Sequence, residues 1–531
     1  MLWRQSYDPL GNVVLSTLAA ALPLVVLLCL LASRRVRAHY AALLGLVVAL
    51  SVAVLVVRMP VRMALSAAGL GAMYGLFPIG WIILNVIFLY QLAEGRGLLN
   101  ELRSAITHVT LDPRLQLVLV AFCFGAFFEG AAGFGTPVAV TGALLIGLGF
   151  PPLQASGLSL IANTAPVAFG ALGTPIVALQ AVTGLDLLQL SKMVGRQLPL
   201  FSLVVPFWLI AAHSGLRGIR ETWRALLIAG VTFAVPQFLV SNYHGPWLVD
   251  VVSSIFSIVA LTWYLRLCAP PVPAPPHPRV FVRAFMPWLV LTLFVALWGL
   301  PAVKAALNAV SSPKLAMPGL DQLVQRVAPA VATSAPEAAV FNFNWLSASG
   351  TAIFLSAIVT GVLLRYRALE LVAIYRRALR LVAPSLATIA AMLALGYTTR
   401  YSGQDVILGL AFARTGVAYP FFGALLGWLG VALTGSDTSS NVLFGGLQKI
   451  TAQQVGVSPL LMAAANSSGG VMGKMIDAQS IVVASTATRW YGHEWRILRF
   501  VLVHSIVLAT LVGLLVLLQA YVPPFSAMVP R

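Results

Sequence analysis

Charge is scarce in this sequence. Only 9% of its 531 residues are Asp, Glu, Lys or Arg, whereas 60% are hydrophobic, and the mean hydropathy is +0.93. A soluble domain carries about 25% charged residues, so this composition excludes a water-facing surface of ordinary charge density. Acidic residues are the scarcest, with 15 Asp and Glu against 33 Lys and Arg. The composition therefore predicts a chain that lies largely within a membrane.

The net charge of +18 does not indicate nucleic-acid binding. The basic residues fall in short segments between apolar runs, and the sequence has no basic stripe with interleaved aromatic residues. Short basic segments of this kind are better interpreted as topology signals and as contacts to anionic membrane lipid.

The sequence also lacks the motifs of cofactor, metal and hydrolytic chemistry. Cys29, Cys123 and Cys268 lie in or beside apolar segments, without the spacing of a disulfide framework or a metal site. The GAAGFG run at 130–135 has neither a strand–turn–helix context nor a Gly-Lys-Ser/Thr ending, which excludes a nucleotide loop. A hydrolase would need a nucleophile with its base, or a metal set such as HExxH, and neither is found. We therefore expect a protein that is not an enzyme and that requires no cofactor and no metal.

Apolar runs of membrane-spanning length recur from end to end. A bilayer core of about 30 Å needs about 20 apolar residues per helix. The runs lie at 14–32, 40–57, 78–92, 197–212, 225–240, 283–300, 348–364, 381–396 and 500–521. Allowing for broken segments, they predict an all-α polytopic membrane protein with about 12–14 membrane helices. Because Arg34, Arg35 and Arg37 follow the first run, we expect that run to be a retained span rather than a cleaved signal.

Five basic clusters set the expected orientation. They lie at 34–37, 217–224, 266–283, 365–380 and 489–499. The positive-inside rule places all five in the cytoplasm, so both termini are predicted to be periplasmic. The segment 301–346 is then an external loop with some amphipathic helix. The proline-rich stretch CAPPVPAPPHPR predicts a cytoplasmic linker at 267–282, between an N-terminal half (1–266) and a C-terminal half (283–531).

Each half contains one unusual region, at 127–176 and at 434–481. Both regions open with a break of Gly, small and polar residues and continue with a Pro-led helix that ends in an Ala-Asn-polar cluster, ANTAPVAFG or ANSSGGVMG. Helix breaks are tolerated at membrane depth only where the freed backbone is buried in protein or lines a wet cavity. The orientation above gives the two regions opposite directions. They therefore predict two inverted-topology halves with broken or re-entrant segments, which is typical of a transporter binding site.

Charged residues inside these regions are the candidates for function. Glu129 is the sole charged residue between Arg114 and Asp186, and Asp437 and Lys474 lie in the second region. A carboxylate at the bilayer centre costs about 2.5–3.5 kcal/mol on insertion scales, so it needs a partner, a proton or a role. We predict that Glu129 and Asp437 couple transport to protons and that Lys474 binds the substrate carboxylate. The candidate substrate-binding residues are Gly130, Gly133, Asn163, Thr164, Ser439, Ser440, Asn441, Asn466, Ser467, Ser468, Lys474 and Gln479.

Structural roles are open alternatives for several of these residues. The glycines could serve close helix packing, and Glu129 could cap or tie a helix. Lys474 and Asp477 are three residues apart and could pair on one helical face. Arg400 and Arg414 could extend to the membrane interface rather than face a cavity.

The sequence resembles the bacterial L-lactate permease family. The strings that carry the resemblance are SYDPLGN (6–12), LSTLAAALP (15–23), FFEGAAGFGTPVAV (127–140), IANTAPVAFGALGTPI (161–176), MVGRQLP (193–199), GWLGVALTGSDTSSNVLF (427–444) and GKMIDAQSI (473–481). Asp405, Arg414 and Asp477 depart from the family pattern, so they take no family role.

This resemblance implies a secondary active transporter that carries L-lactate or a related 2-hydroxymonocarboxylate, such as glycolate or D-lactate, into the cell together with a proton. It implies a multi-pass protein of the bacterial inner membrane with two inverted halves. The family motifs match at Glu129, Gly130, Gly133, Asn163, Pro166, Asp437, Ser439, Ser440, Asn441, Asn466, Lys474 and Gln479. The alternative is a monocarboxylate or anion channel, or a uniporter, without proton coupling.

Overall fold

The computed structural model describes residues 2–32, 36–98, 100–101, 109–131, 133, 136–268, 278–329, 334–491 and 493–530. Within these residues, nine helices are long and apolar enough to cross a membrane, or ten if the bent pair Phe285–Trp298 and Ala302–Val310 is one span. Large apolar side chains such as Leu18, Leu55 and Trp263 are exposed on their outer faces, where lipid would contact them. The chain is an α-helical polytopic membrane protein, as predicted.

The predicted count of 12–14 helices also includes broken and shorter segments. The helix Leu187–Tyr243 reverses at Gly215, whose backbone angles of 68° and −168° favour glycine, so it makes two passes. Four further apolar helices in the described part of the chain are 10–17 residues long: Pro137–Gly147, Ala171–Thr183, Ser349–Leu363 and Gln404–Ala413.

The described part of the N-terminal half contains eleven α-helices, and π-helical turns at Val52–Val56, Gly75–Gly80 and Val118–Phe124 extend or join some of them. The helices are α1 (Val13–Ala32), α2 (Ala38–Ser51), α3 (Val61–Tyr74), α4 (Trp81–Gly95), α5 (Pro113–Leu117), α6 (Gly125–Ala131), α7 (Thr136–Gly147), α8 (Pro152–Ala162), α9 (Thr174–Thr183), α10 (Leu187–Tyr243) and α11 (Val249–Cys268).

Ten α-helices lie in the described residues of the C-terminal half. They are α12 (Pro278–Gly299), α13 (Pro301–Val310), α14 (Ser349–Leu363), α15 (Ala368–Ser402), α16 (Gln404–Ala413), α17 (Tyr419–Thr434), α18 (Asp437–Val455), α19 (Pro459–Gly473), α20 (Ala478–Ala487) and α21 (Glu494–Tyr521). Of the linker predicted at 267–282, residues 269–277 lie outside the described part of the chain.

The two halves exchange equivalent contacts. The short helix α9 of the first half packs on α18 of the second, and the short helix α20 packs on α7 of the first. In the same way, α10 packs against α19 and α21 packs against α8. Two halves related by a two-fold axis produce this reciprocal pattern, which supports the predicted repeat.

Both termini lie on one face of the molecule, here called the terminal face. The strand β1 (Trp3–Arg4) pairs in parallel with β3 (Val324–Arg326), and Arg196 Nη1 donates to the Met528 carbonyl at 2.9 Å. The other strands of this face are β2 (Lys314–Ala316), β4 (Ala335–Glu337) and β5 (Val340–Asn342). The sequence analysis predicted a loop with amphipathic helix at 301–346 and missed these strands, because three residues are too few for a period-two pattern.

The described arginines of the basic clusters gather on the opposite face, here called the basic face. Arg114 pairs with Glu221, Arg217 pairs with the same carboxylate at 2.9 Å, and Arg96 donates to the Arg365 carbonyl at 3.1 Å. The cluster at 34–37 is described only from residue 36 onward. Basic residues also lie on the terminal face, among them Arg196, Arg326 and Arg400, so the predicted orientation stays a prediction.

Candidate functional site

A cavity of about 240 Å³ lies between the two halves. Both broken regions and the middle of α15 line it. It is called the central cavity below. Of the residues singled out in the sequence, its lining includes Glu129, Gly133, Asp437, Ser439, Lys474 and Gln479. The fold thus brings together side chains from the two interrupted regions.

Three helices begin at the central cavity. α9 begins at Thr174, α18 at Asp437 and α20 at Ala478, and residues of the first turn of each helix line the cavity. The first N–H groups of a helix have no partner within the helix, and the helix dipole places partial positive charge at that end. Three N-termini around one small cavity therefore form an environment suited to an anion.

Lys474 brings a full positive charge to the same cavity. Its Nζ donates to the Gly435 carbonyl and lies 3.4 Å from Asp477 Oδ2. The other carboxylate oxygen, Asp477 Oδ1, accepts from the Ser480 N–H at 2.7 Å and caps α20. The pair suggested by the sequence therefore forms, and it holds the ammonium group at the cavity wall.

Asp437 is the centre of a hydrogen-bond network in the second region. Ser467 Oγ donates to Asp437 Oδ2, and Asn441 Nδ2 donates to the same oxygen at 3.2 Å. Asn466 Nδ2 donates to Asn441 Oδ1 at 2.9 Å, and Asn441 Nδ2 also lies 3.2 Å from the Pro175 carbonyl of α9. This network links α18 and α19 to the broken helix of the other half.

Glu129 has very different surroundings in the first region. Its Oε2 lacks a hydrogen-bond partner among the described residues, as do both polar atoms of the Asn163 side chain and both carboxyl oxygens of Asp250. The three residues are 6%, 1% and 2% exposed, respectively. Residues 132, 134 and 135, which follow Glu129 closely in sequence, lie outside the described part of the chain, so the capping alternative stays open.

Asp250 was missed by the sequence analysis, although a signal was present. It is the sole charged residue between Arg224 and Arg266, and it lies in the first turn of α11, which packs against α6. A Cβ added at Gly130 would come within 2.8 Å of the Asp250 Cβ. Asp250 is thus a second buried carboxyl group directly behind the Glu129 helix.

Eight of the predicted substrate contacts do not line the central cavity. Six are buried residues that do not belong to its lining: Asn163, Thr164, Ser440, Asn441, Asn466 and Ser467. Gly130 packs against α11, and Ser468 Oγ hydrogen-bonds Gln197 Oε1 of α10 at 2.7 Å. Gly130 and Ser468 therefore face neighbouring helices rather than the central cavity. A position within a motif does not by itself fix the direction in which a side chain points.

The α15 wall of the cavity was also missed. Ser385 and Thr388 line it, beside Pro384. A proline inside a helix removes one backbone hydrogen bond and bends the chain, so Pro384 within the apolar run 381–396 was the available signal. His39, in the first turn of α2, is also part of the lining, which extends the cavity toward Arg37 and the basic face.

Comparison with known proteins gives the family. The sequence matches the model of the L-lactate permease family over residues 16–523. The chain belongs to the L-lactate permease family. The glycolate permease GlcA of Escherichia coli (strain K12) is 45% identical over 550 residues, covering 98% of both chains. L-lactate permeases of Escherichia coli (strain K12) and Bacillus subtilis (strain 168) are 44% and 43% identical, with 98% and 100% of both chains covered.

Membership in the L-lactate permease family covers nearly the whole chain, including both broken regions and the cavity between them. It makes this protein a transporter of a small molecule rather than an enzyme. The relatives' names, L-lactate permease and glycolate permease, both denote small 2-hydroxymonocarboxylates.

Proposed function

We propose that this protein is a secondary active transporter that carries L-lactate, or a related 2-hydroxymonocarboxylate such as glycolate or D-lactate, into the cell with a proton. The observation that carries the proposal is the central cavity, where three helix N-termini and Lys474 meet beside buried carboxyl groups. Such a site offers positive charge to a carboxylate and ionisable groups to a proton.

The substrate carboxylate is assigned to Lys474 and to the first turns of α18 and α20. A charged hydrogen bond of this kind contributes about 1.5–3 kcal/mol when both partners are removed from water. Ser439 and Gln479 line the same cavity and supply neutral donors and acceptors for the 2-hydroxyl group. The site can thus bind both the carboxylate and the 2-hydroxyl group of a 2-hydroxy acid.

The proton is assigned to Glu129, with Asp250 behind it and Asp437 across the cavity as a second carrier. Burial disfavours the charged form of a carboxyl group, and a second carboxyl nearby adds repulsion when both are ionised. Glu129 Oε2 and both carboxyl oxygens of Asp250, which lack partners among the described residues, fit groups whose protonation changes during transport.

The basic face is assigned to the cytoplasm of a bacterial inner membrane, which makes both termini periplasmic. The cavity lining reaches His39 near the basic face, which supports assigning this structure to a state that opens toward the cytoplasm. Access would alternate as one half or bundle rocks against the other.

Uptake by purified protein in proteoliposomes tests the proposal. Under an imposed pH gradient with an alkaline interior, labelled lactate should accumulate above its external concentration and faster than in protein-free liposomes of the same lipid. The protein-free control is required because undissociated lactic acid crosses bilayers by itself. A channel or uniporter that passes the lactate anion alone would let accumulated lactate leave, so accumulation no faster than in the protein-free liposomes, or to a lower level, would reject coupled symport.

A further inference from the structure

A second cavity, of about 430 Å³, opens on the terminal face and is called the outer cavity below. Residues of α3, α9, α15 and the segment 338–344 line it. The first turn of α9 lines the central cavity, whereas Val177, Gln180 and Ala181 of the same helix line the outer cavity. With a rise of 1.5 Å per residue, the middles of these two linings lie about 7 Å apart along α9.

Arg400 gives the outer cavity a positive charge. Its Nε lies 2.8 Å from Glu337 Oε1, but Glu337 Oε2 is also 2.8 Å from Arg326 Nε. One carboxylate therefore pairs with two guanidinium groups. With the nearby Lys449 and the buried Asp405 included, three cationic groups lie near two carboxyl groups, which leaves an excess of positive charge. Arg400 Nη2 makes no hydrogen bond within the described part of the chain, and the Arg400 side chain is 22% exposed.

Aromatic rings and an amide surround this guanidinium group. Its Cζ lies 5.9 Å and 5.6 Å from the ring centres of Tyr397 and Tyr401, and Tyr74 stacks on Tyr397 at 5.5 Å. Gln180 lines the cavity, and its side-chain amide makes no hydrogen bond with a described residue. The combination offers an anion site beside apolar ring surface and one polar group, which suits a small hydroxy acid.

The end of α9 is held by the same group of side chains. Tyr397 Oη donates to the Ala181 carbonyl at 2.9 Å, Arg400 Nη1 to the Val182 carbonyl at 3.4 Å, and Lys449 Nζ to the Thr183 carbonyl at 2.6 Å. The bond from Arg400 is the longest of the three. An anion that binds Arg400 competes with this bond and weakens the hold on α9.

We propose that the outer cavity is a second binding site for the transported monocarboxylate, in which Arg400 holds the carboxylate on the periplasmic side before α9 admits it to the central cavity. The assignment rests on the proposed function for the identity of the ligand and on the proposed orientation for the side. α9 lies between Gly173 and Gly184, whose φ angles of 76° and 67° favour glycine and allow the backbone to pivot there.

Thiol protection tests this site without any proton gradient. Asn342→Cys places a thiol at the exposed rim of the outer cavity, in a background in which Cys29 and Cys268 are replaced by serine. A membrane-impermeant thiol reagent is added from the periplasmic side of oriented vesicles. Lactate at ten times its dissociation constant for the outer cavity should slow labelling about tenfold, because about a tenth of the outer cavities then stay unoccupied.

Variants separate the outer site from the central cavity. Protection by lactate should vanish with Arg400→Gln and return in part with Arg400→Lys. It should persist with Lys474→Gln, which changes the central cavity, and with the control Arg414→Gln, which changes an exposed arginine of the same face. Because Arg400→Gln also removes structural contacts and could prevent folding, Gln180→Leu gives a second test and should weaken protection severalfold.

Absence of protection in the parent protein, or its loss with Lys474→Gln, would overturn the proposal. Failure of pH-driven accumulation alone would not affect it.

Discussion

The two broken regions follow the same order of helices, yet their buried polar atoms differ in hydrogen bonding. In the second region, one oxygen of each carboxyl group, Asp437 Oδ2 or Asp477 Oδ1, accepts a hydrogen bond, and its other oxygen lacks a hydrogen-bond partner among the described residues. In the first region, Glu129 Oε2 and both polar atoms of the Asn163 side chain lack such a partner, and so do both carboxyl oxygens of Asp250 in the adjacent α11. An unpartnered buried polar group costs about 1–3 kcal/mol, so it is retained where a partner arrives during function. The second region thus suits a preformed substrate site, and the first suits a proton that comes and goes.

Glu129→Gln should have the largest effect on this division of labour. The amide keeps the shape of the side chain but cannot release a proton, so pH-driven accumulation should be lost while lactate exchange between vesicle interior and medium continues. Accumulation and exchange are measured with the same proteoliposome preparation. Loss of both activities in a folded protein would instead give Glu129 a structural role.

Lys474→Gln should act on substrate binding rather than on coupling. Removing one charged hydrogen bond of about 2 kcal/mol raises the lactate concentration for half-maximal exchange about 30-fold. The matched control is Lys192→Gln, because Lys192 lines a different cavity on the terminal face. An unchanged half-saturation value would remove Lys474 from the substrate site.

Asp250→Asn should change the pH dependence of uptake and leave exchange intact. Two carboxyl groups this close resist ionising together, and the neutral amide removes that repulsion. The pH profile of uptake at saturating lactate should therefore differ from that of the parent protein. A pH profile that superimposes on the parent profile would exclude Asp250 from the coupling site.

Gly130→Ala tests the packing that positions this carboxyl pair. The added Cβ meets Asp250 Cβ at 2.8 Å and Val251 N at 3.0 Å, so one of the helices must shift, at a cost of about 1–3 kcal/mol. Thermal unfolding in detergent should occur at a lower temperature. Gly147→Ala is the control, since nothing lies within 4 Å of its added Cβ.

Two serines test the direction of side chains in the second region, with the smallest effect expected. Ser439 lines the central cavity, whereas Ser468 faces Gln197. Ser439→Ala should raise half-saturation for lactate about fivefold, for a lost hydrogen bond of about 1 kcal/mol. Ser468→Ala should leave it within about twofold, because a side chain outside the cavity makes no substrate contact. The reverse order would contradict the assigned lining.

Hydropathy and helix breaks were enough to predict the fold class, because lipid requires apolar helices and tolerates breaks only inside protein. The same logic located Glu129, Asp437 and Lys474 near one cavity. It could also have singled out Asp250 as a lone charge in an apolar segment, but not its place beside the Glu129 helix, since the contact between α6 and α11 joins segments over a hundred residues apart. It also could not separate Ser439 from Ser468, because which face of a helix meets the cavity is fixed by tertiary packing.

The most direct test of the account is the proton movement that accompanies lactate entry. Lactate is added to proteoliposomes that contain a pH dye and no imposed gradient, and the initial rate of lumenal acidification is compared with that in protein-free liposomes. The account predicts faster acidification with the parent protein and the protein-free rate with Glu129→Gln, although that variant still exchanges labelled lactate. Lactate entry through the parent protein without extra acidification, or unchanged acidification with Glu129→Gln, would contradict it.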